Sequence, residues 1–359
     1  MKIIEGGVHI LKHLDYRIGR SRDNLRTACR ESNWIKIAWL VSTTTVVAIA
    51  ALVAGSPAQA QHPEGTPLWA YPSNAPGHEL EPDDGIPRRV PGSDASYTVT
   101  ELRDRFLAPD WHPREYPPMP EVVRQGREPD VSACGYCHRA SGTGGPENAN
   151  IAGLPYAYIV RQMQEYRSGA RSTAAPNRGP TRLMIAGAQA ATDADIETAA
   201  AYFSSIEPGP RIRVEESATA PQTFIVNWFF AASPDGGTEP LGQRIVEVPE
   251  DVEQFEARDP HARFVAYVPP GSISRGEALV KTGGGKTVPC VVCHGPNLEG
   301  TDEIPPITGR SPTYMVRQLF EFKAGVRQGA QAFQMVPTVA NLSLDDMIDL
   351  AAYLATLDP

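Results

Sequence analysis

A five-residue pattern that occurs twice constrains this chain more than any other feature: Cys134-Gly-Tyr-Cys137-His138 and Cys290-Val-Val-Cys293-His294. In C-x-x-C-H two thiols lie one short turn apart. Both can add to the two vinyl groups of one porphyrin while the adjacent imidazole reaches the iron. Each copy reads as a covalent haem attachment site, with Cys134, Cys137, Cys290 and Cys293 as attachment groups and His138 and His294 as axial iron ligands. Other uses of a C-x-x-C pair are a redox disulfide, half of a zinc site, or two small buried cysteines. A zinc ribbon wants its second pair about 15–20 residues away, and the gap from Cys137 to Cys290 is far longer. A thioredoxin-like pair sits in a βαβ pattern, which neither copy follows.

The two motifs belong to an internal repeat. Adding 156 to a residue number carries the first motif onto the second and continues without a gap. Gly153 falls on Gly309, Tyr158 on Tyr314, Arg161 on Arg317, Gln162 on Gln318, Gly169 on Gly325 and Arg171 on Arg327. Within each copy the stretch from Tyr158 to Gly169, or Tyr314 to Gly325, has the apolar period of an amphipathic helix that stops at glycine. Beyond those glycines the register slips by five and locks again, pairing Met184 with Met335 and Tyr202 with Tyr353. Thr192-Asp-Ala-Asp195 and Ser343-Leu-Asp-Asp346 read as capping boxes with Asp in place of Glu, each opening a closing helix. Ile196, Ala199, Ala200 and Phe203, and Met347, Leu350, Ala351 and Leu354, then recur at helical spacing.

Met184 and Met335 survive the change of register and are expected in loops just upstream of those helices. That places each as the second axial ligand of its haem. A thioether is soft and neutral, favours ferrous iron relative to a second imidazole, and raises the potential. The competing reading is ordinary packing, to which Met163, Met315 and Met347 are assigned because they fall on helical faces.

The chain opens with a basic segment up to Lys36, an uncharged run over 37–55, and Ser-Pro-Ala58-Gln-Ala60. The small residues at 58 and 60 fit a cleaved signal peptide. A run of this length also fits an uncleaved membrane anchor. Either way the leading positive charge keeps that end cytoplasmic and exports the rest, so the expected location is the periplasm. Loss of residues 1–60 would remove 8 Lys+Arg and 4 Asp+Glu from totals of 33 and 42, leaving 25 against 38, a net charge of −13. Such a surface suits partners that present lysine and arginine and argues against nucleic acid. Cys29 lies in the leader, so no thiol remains downstream of it for a structural disulfide.

Two stretches have no counterpart in the repeat. Residues 61–115 are rich in proline, glycine and polar residues, with aromatic clusters at Pro67-Leu-Trp-Ala-Tyr71 and Trp111-His-Pro113. This reads as an irregular arm that buries its aromatics on a neighbouring domain. His62, His78 and His112 are minor candidate ligands there. Residues 207–271 contain Gln222-Thr-Phe-Ile-Val-Asn-Trp-Phe-Phe230, then Ser-Pro-Asp-Gly-Gly237, then Gln243-Arg-Ile-Val-Glu-Val248, which suggests strands joined by a glycine-containing turn. This insertion serves as a spacer covering domain surface, or, if Trp228-Phe229-Phe230 stays exposed, as a docking platform. His261 near its end is another minor candidate ligand. Ser274 to Lys281 reads as the opening helix of the second repeat.

With these residues in hand the chain resembles the class I c-type cytochromes, and more closely the two-haem cytochromes of the c-four type. The resemblance is carried by C-x-x-C-H, the Tyr-x-Val-Arg-Gln helix, the methionine, and the Leu-Ser-x-Asp-Asp and Ala-Ala-Tyr ending. It covers 116–206 and 272–359. It implies a mainly α protein of two class I cytochrome c domains related by duplication and joined by a β-containing insertion. It also implies two covalent haem c groups, His138/Met184 and His294/Met335 as axial pairs, and periplasmic electron transfer. The expected partners are redox proteins such as a periplasmic dehydrogenase, a terminal oxidase or another cytochrome, met as a free carrier or as a dehydrogenase-associated subunit. The contrasting class is a haem enzyme, such as a dihaem peroxidase with one displaceable methionine. A sulfur-oxidising enzyme with a cysteine distal ligand is disfavoured, since both motifs consume the remaining thiols. Two irons closed by methionine would only exchange electrons.

Overall fold

The computed structural model describes residues 62–74, 77 and 82–359. The leader, including 37–55, Ala58 and Ala60, lies outside the described residues, as does His78. No helix among the described residues is long and apolar enough to cross a membrane.

The arm contains one helical turn at Leu68–Ala70 and the short helix α1 (Val99–Arg103), which Thr98 and Glu101 close with a capping box. The first repeat follows as α2 (Glu121–Arg124), α3 (Cys134–His138), α4 (Tyr156–Ser168), α5 (Gly179–Ala190) and α6 (Asp193–Ser204). Helix α4 ends because Gly169 takes φ 78°, ψ 4°, a left-handed conformation that glycine adopts at little cost. Helix α6 begins where Thr192 Oγ1 accepts the Asp195 N–H and the Asp195 carboxylate accepts the Thr192 N–H, the box read from the sequence. It buries Ile196, Ala199, Ala200 and Phe203, together with Tyr202, against Val123, Leu154 and Ile159.

The insertion comprises β1 (Ile212–Glu216), β2 (Thr219–Pro221), β3 (Thr223–Val226), β4 (Phe229–Ala232), β5 (Thr238–Pro240), β6 (Val246–Pro249), α7 (Val252–Glu256) and β7 (Phe264–Val268). Its main sheet has the order β1-β7-β6, with β1 parallel and β6 antiparallel to β7. Strand β6 carries the buried Glu247, which accepts the Ser311 hydroxyl at 2.7 Å and the Thr313 N–H at 3.2 Å. Burial pushes that carboxyl up, against these hydrogen bonds. Ile245, Ala266 and Val268 join the core of the second repeat, so the sheet is continuous with that domain.

Two details of the insertion differ from the sequence expectation. The run Gln222 to Phe230 is a hairpin in itself: β3 pairs with β4, and Asn227-Trp228 forms the turn, with Asn227 at φ 53°. Asparagine tolerates that region better than most side chains. The glycine pair at 236–237 instead lies between β4 and β5, and β5 returns to pair with β2. Nor is Trp228-Phe229-Phe230 an exposed patch. Phe229 is buried edge-on against Phe255, and Phe230 packs beside Leu241 and Val246. The indole of Trp228 lies so close to Gly179 that a Cβ there would fall 2.5 Å from its ring. With Phe229 buried and Trp228 and Phe230 half-buried, the run does not form the exposed apolar patch that a docking platform would need.

The second repeat runs α8 (Ser272–Thr282), α9 (Val291–His294), α10 (Pro312–Lys323), α11 (Ala332–Val339) and α12 (Leu344–Thr356). Ser343 and Asp346 form the capping box of α12. Helices α8 and α12 cross at Gly276, where a Cβ would meet Asp349 O at 2.0 Å. Only hydrogen fits between these backbones. The crossing buries Leu279 and Val280 against Met347, Ile348 and Leu350 in the core of this half.

Candidate haem centres

Both C-x-x-C-H motifs form single helical turns, α3 and α9, and all six of their cysteine and histidine side chains line one cavity of about 400 Å³. The imidazoles are oriented alike. His138 Nδ1 donates to Ala149 O and His294 Nδ1 to Pro305 O, each at 2.9 Å. Residues 149 and 305 are themselves 156 apart, so the duplication extends to the acceptor. Holding the Nδ1 proton on a carbonyl fixes the ring and leaves the Nε2 lone pair for a metal. Burial also pulls both imidazoles below the ordinary histidine value, which keeps them neutral.

Cys134 keeps a partly open face toward the cavity, yet the protein around it pushes its thiol up to about 12 by desolvation. Cys290 is pushed up to about 11 for the same reason. A thioredoxin-like pair needs the opposite, an electropositive setting that lowers the thiol. The redox-disulfide reading finds no support here.

Met184 and Met335 line the same cavity, each half-buried. Contrary to expectation they are not in loops: Met184 lies on α5 and Met335 on α11. The glycine-, serine- and alanine-rich composition upstream suggested irregular chain, but Gly179-Pro180 starts α5, with proline in the first turn where its missing N–H costs nothing. Helix α11 contains Pro337 near its end. Helical placement removes the loop argument for ligation and leaves the shared cavity as the ground for it. Met163 and Met315 also line the cavity, whereas Met347 is buried in the core.

The spare histidines are used elsewhere. His62 bonds Ala174 O, His112 bonds Asp259, and His261 bonds Glu115; none of the three lines the cavity.

Where the repeats meet, the cavity wall is a polar network that the sequence showed only as matched positions. Arg171 Nη1 donates to Gln162 Oε1 at 2.6 Å, and its Nη2 crosses to Gln318 Oε1 at 2.8 Å. Arg327 mirrors it, donating to Gln318 Oε1 at 3.1 Å and across to Gln162 Oε1 at 2.9 Å. The buried Nε atoms of Arg171, Arg178, Arg310 and Arg327, and Nη2 of Arg310, find no acceptor among the described residues. Burial, with the like charge of Arg317 beside it, pulls Arg178 well below the usual guanidinium value; burial does the same at Arg310. Buried cations short of acceptors suit an anionic occupant. A haem carries two carboxylates as well as two vinyl groups, so this donor set, with four thiols and two oriented imidazoles, fits that group in each half.

Comparison with known proteins agrees. The Cytochrome c family model matches residues 129–207 and 273–358. The chain is 38% identical over 68 residues to cytochrome c-554(548) of Halomonas halodenitrificans, a match covering 19% of this chain and 82% of that protein. It is 25% identical over 236 residues to cytochrome c4 of Stutzerimonas stutzeri, covering 63% and 85% of the two chains. The thiosulfate dehydrogenase electron acceptor of Thiomonas intermedia is 25% identical over 205 residues, covering 56% and 67%. The chain belongs to the cytochrome c family. It is a duplicated, c4-like class I cytochrome with two covalently bound haem c groups, and its role is electron transfer.

Proposed function

We propose that the protein is a periplasmic dihaem electron carrier in which Cys134, Cys137 and His138 hold one haem and Cys290, Cys293 and His294 the other. Met184 and Met335 complete the two irons. The observation that carries this reading is the equivalence of the two sites: two thiols, a carbonyl-oriented imidazole and a half-buried methionine face one cavity in both repeats. Haem supplies reversible one-electron chemistry when bound. The protein attaches it and orients the imidazoles. Met184 and Met335, once they hold the irons, would close them to substrate, and this favours a carrier over an enzyme.

Its donor and acceptor are redox proteins, a periplasmic dehydrogenase on one side and a terminal oxidase or another cytochrome on the other. The likeness to an electron acceptor of thiosulfate dehydrogenase supports the dehydrogenase side. Residues 1–60 act as a cleaved export signal, supported by Ala58 and Ala60 after an uncharged run. Reductive titration of the purified protein with visible and near-infrared spectra tests the core of this reading. It should count two haems and show thioether ligation at both. Rapid peroxide or cyanide binding by the unmodified protein would replace the carrier with a haem enzyme having one open iron. N-terminal sequencing should start at or near Gln61; recovery of 37–55 in the membrane pellet would make it an anchored cytochrome.

A further inference from the structure

The arm meets the insertion at a cluster of two histidines and two carboxylates, outside the haem cavity. Trp111 is fully buried there and donates its indole N–H to Ala257 O at 2.8 Å. This seats His112 against His261, with the imidazoles stacked at 3.8 Å between centroids and 14° between planes. The turn His112 to Glu115, closed by Glu115 N–H to His112 O, brings the Glu115 carboxylate to His261 Nε2 at 2.6 Å. Ligand atoms of His112, Glu115 and His261 all lie within 4.8 Å of one another.

We propose that His112, Glu115 and His261 form a binding site for a divalent transition metal of the zinc type, which fastens residues 61–115 to the insertion. Three features distinguish the cluster from a chance meeting of polar side chains. Two imidazoles and one carboxylate are the donor set that zinc takes with three protein ligands, the fourth position going to water. The buried Asp259 carboxylate accepts from His112 Nε2 at 3.0 Å and is itself held by the His261 N–H and by Gln254 Nε2 at 2.7 Å. A carboxylate fixed in this way assigns the proton to Nε2 and leaves the Nδ1 lone pair of His112 for a metal. The charge also fits. Asp259 and Glu115 bring two negative charges; Arg211 feels both of them and supplies one positive. A dication would be electrostatically favoured there.

Access and closure are provided by the same residues. The His112 side chain is 4% exposed, whereas those of His261 and Glu115 are 37% and 53% exposed, so an ion enters from their side. Bonds of about 2.0–2.2 Å to tetrahedral zinc require donors further apart than the present hydrogen bond, and in-plane lone pairs that converge. Stacked rings 14° from parallel do not converge, so the half-exposed His261 ring must turn out of the stack as Glu115 draws back to admit the ion. The site would also brace the first haem domain. Arg258, next to Asp259, donates to Tyr136 O in α3 at 3.0 Å and to Leu102 O at 2.8 Å.

The test uses the haem-loaded, full-length mature protein and zinc chloride. His112 is buried and its replacement risks misfolding, so the informative variants are Glu115→Gln and His261→Gln, which lie at the open side. Equilibrium dialysis with metal analysis should show one zinc per two haems in the parent. Each variant should lower affinity at least about tenfold with the haem spectrum unchanged. Zinc-edge absorption on the loaded parent should show two imidazole nitrogens and a carboxylate oxygen at about 2.0–2.2 Å. Failure of the parent to take up zinc, or equal uptake by parent and both variants, would overturn the site and leave two hydrogen-bonded histidine–carboxylate pairs.

Discussion

Arg171 and Arg327, equivalent positions of the two repeats, sit opposite each other on an antiparallel bridge. Each guanidinium reaches across to the other repeat's tyrosine: Arg171 Nη2 to Tyr314 OH at 3.0 Å, and Arg327 Nη2 to Tyr158 OH at 2.8 Å. The contact is self-complementary, as in a two-fold dimer, although both halves belong to one chain. Flanking backbone bonds, Ser172 N–H to Val326 O and Gln328 N–H to Ala170 O, reinforce it. Duplication thus supplied both partners of the interface at once, since one Tyr–Gln–Arg set copied 156 residues on is complementary to itself.

Replacing Arg171 with Met should therefore weaken the joint between the repeats more than either core. Tyr314 would lose its donor while Gln162 and Gln318 keep Arg327. Leaving one half-buried hydroxyl unpaired and losing the charged bonds should cost about 2 kcal/mol. Denaturant unfolding checks this, and a midpoint equal to the parent's would show that the network is dispensable.

The crossing of α8 and α12 gives a sharper expectation. Gly276→Ala places a methyl 2.0 Å from a backbone oxygen that no rotamer can move, so the helices must separate. The cost should be about 3 kcal/mol, at the upper end for overpacking. Gly169→Ala serves as the contrast. Nothing lies within 4 Å of its added methyl, and only the left-handed φ of 78° opposes it, at about 1 kcal/mol. Thermal unfolding of the two variants should rank them in that order.

The elements legible from sequence were those with local causes. Gly169 stops α4, and Thr192/Asp195 and Ser343/Asp346 start α6 and α12, because caps and left-handed glycines act within a few residues. What was not legible depends on contacts distant in the chain. Nothing local to Trp228-Phe229-Phe230 reveals that Gly179, about fifty residues earlier, leaves a recess for the indole. The helical state of Met184 was hidden by Gly169, Pro176, Gly179 and Pro180 just upstream, which read locally as breakers, although Pro180 in fact sits in the first turn of α5. Arg171 and Arg327 were visible as a matched pair, but their meeting follows only from the pseudo-symmetry. The signal that would have found them is an arginine kept in both copies just after the helix-ending glycine.

Acid stability should depend on the cap of α12. Burial alone would raise Asp346, but the Lys286 ammonium, donating at 2.7 and 2.9 Å, and the Ser343 N–H and hydroxyl hold it below the ordinary aspartate value. A carboxyl depressed in the folded state contributes stability above its unfolded value, near 3.9, and loses it as pH falls through the folded value. Asp346→Asn should lower stability at pH 7 and flatten the fall in stability below about pH 4. Denaturant midpoints measured from pH 7 down to pH 3 decide it. A variant curve parallel to the parent's would assign the acid limb to other carboxyls.

The assignment of the methionines carries the last prediction. Met184 and Met335 occupy helices and share their cavity with Met163 and Met315, so the test must separate a ligand from a packing residue. Replacing Met335 with His should keep the second iron six-coordinate and lower its potential, because a nitrogen donor stabilises ferric iron relative to a thioether. The first haem should shift little, provided the two cores respond independently. Replacing Met335 or Met184 with Ala should open the corresponding iron to cyanide in the ferric state and carbon monoxide in the ferrous state, and remove its thioether band in the near infrared. Met315→Leu and Met163→Leu should leave both bands in place, since a packing methionine tolerates a side chain of similar volume. A band that survives Met335→Ala and disappears in Met315→Leu would move the second ligand from α11 to α10 and break the equivalence between the two centres.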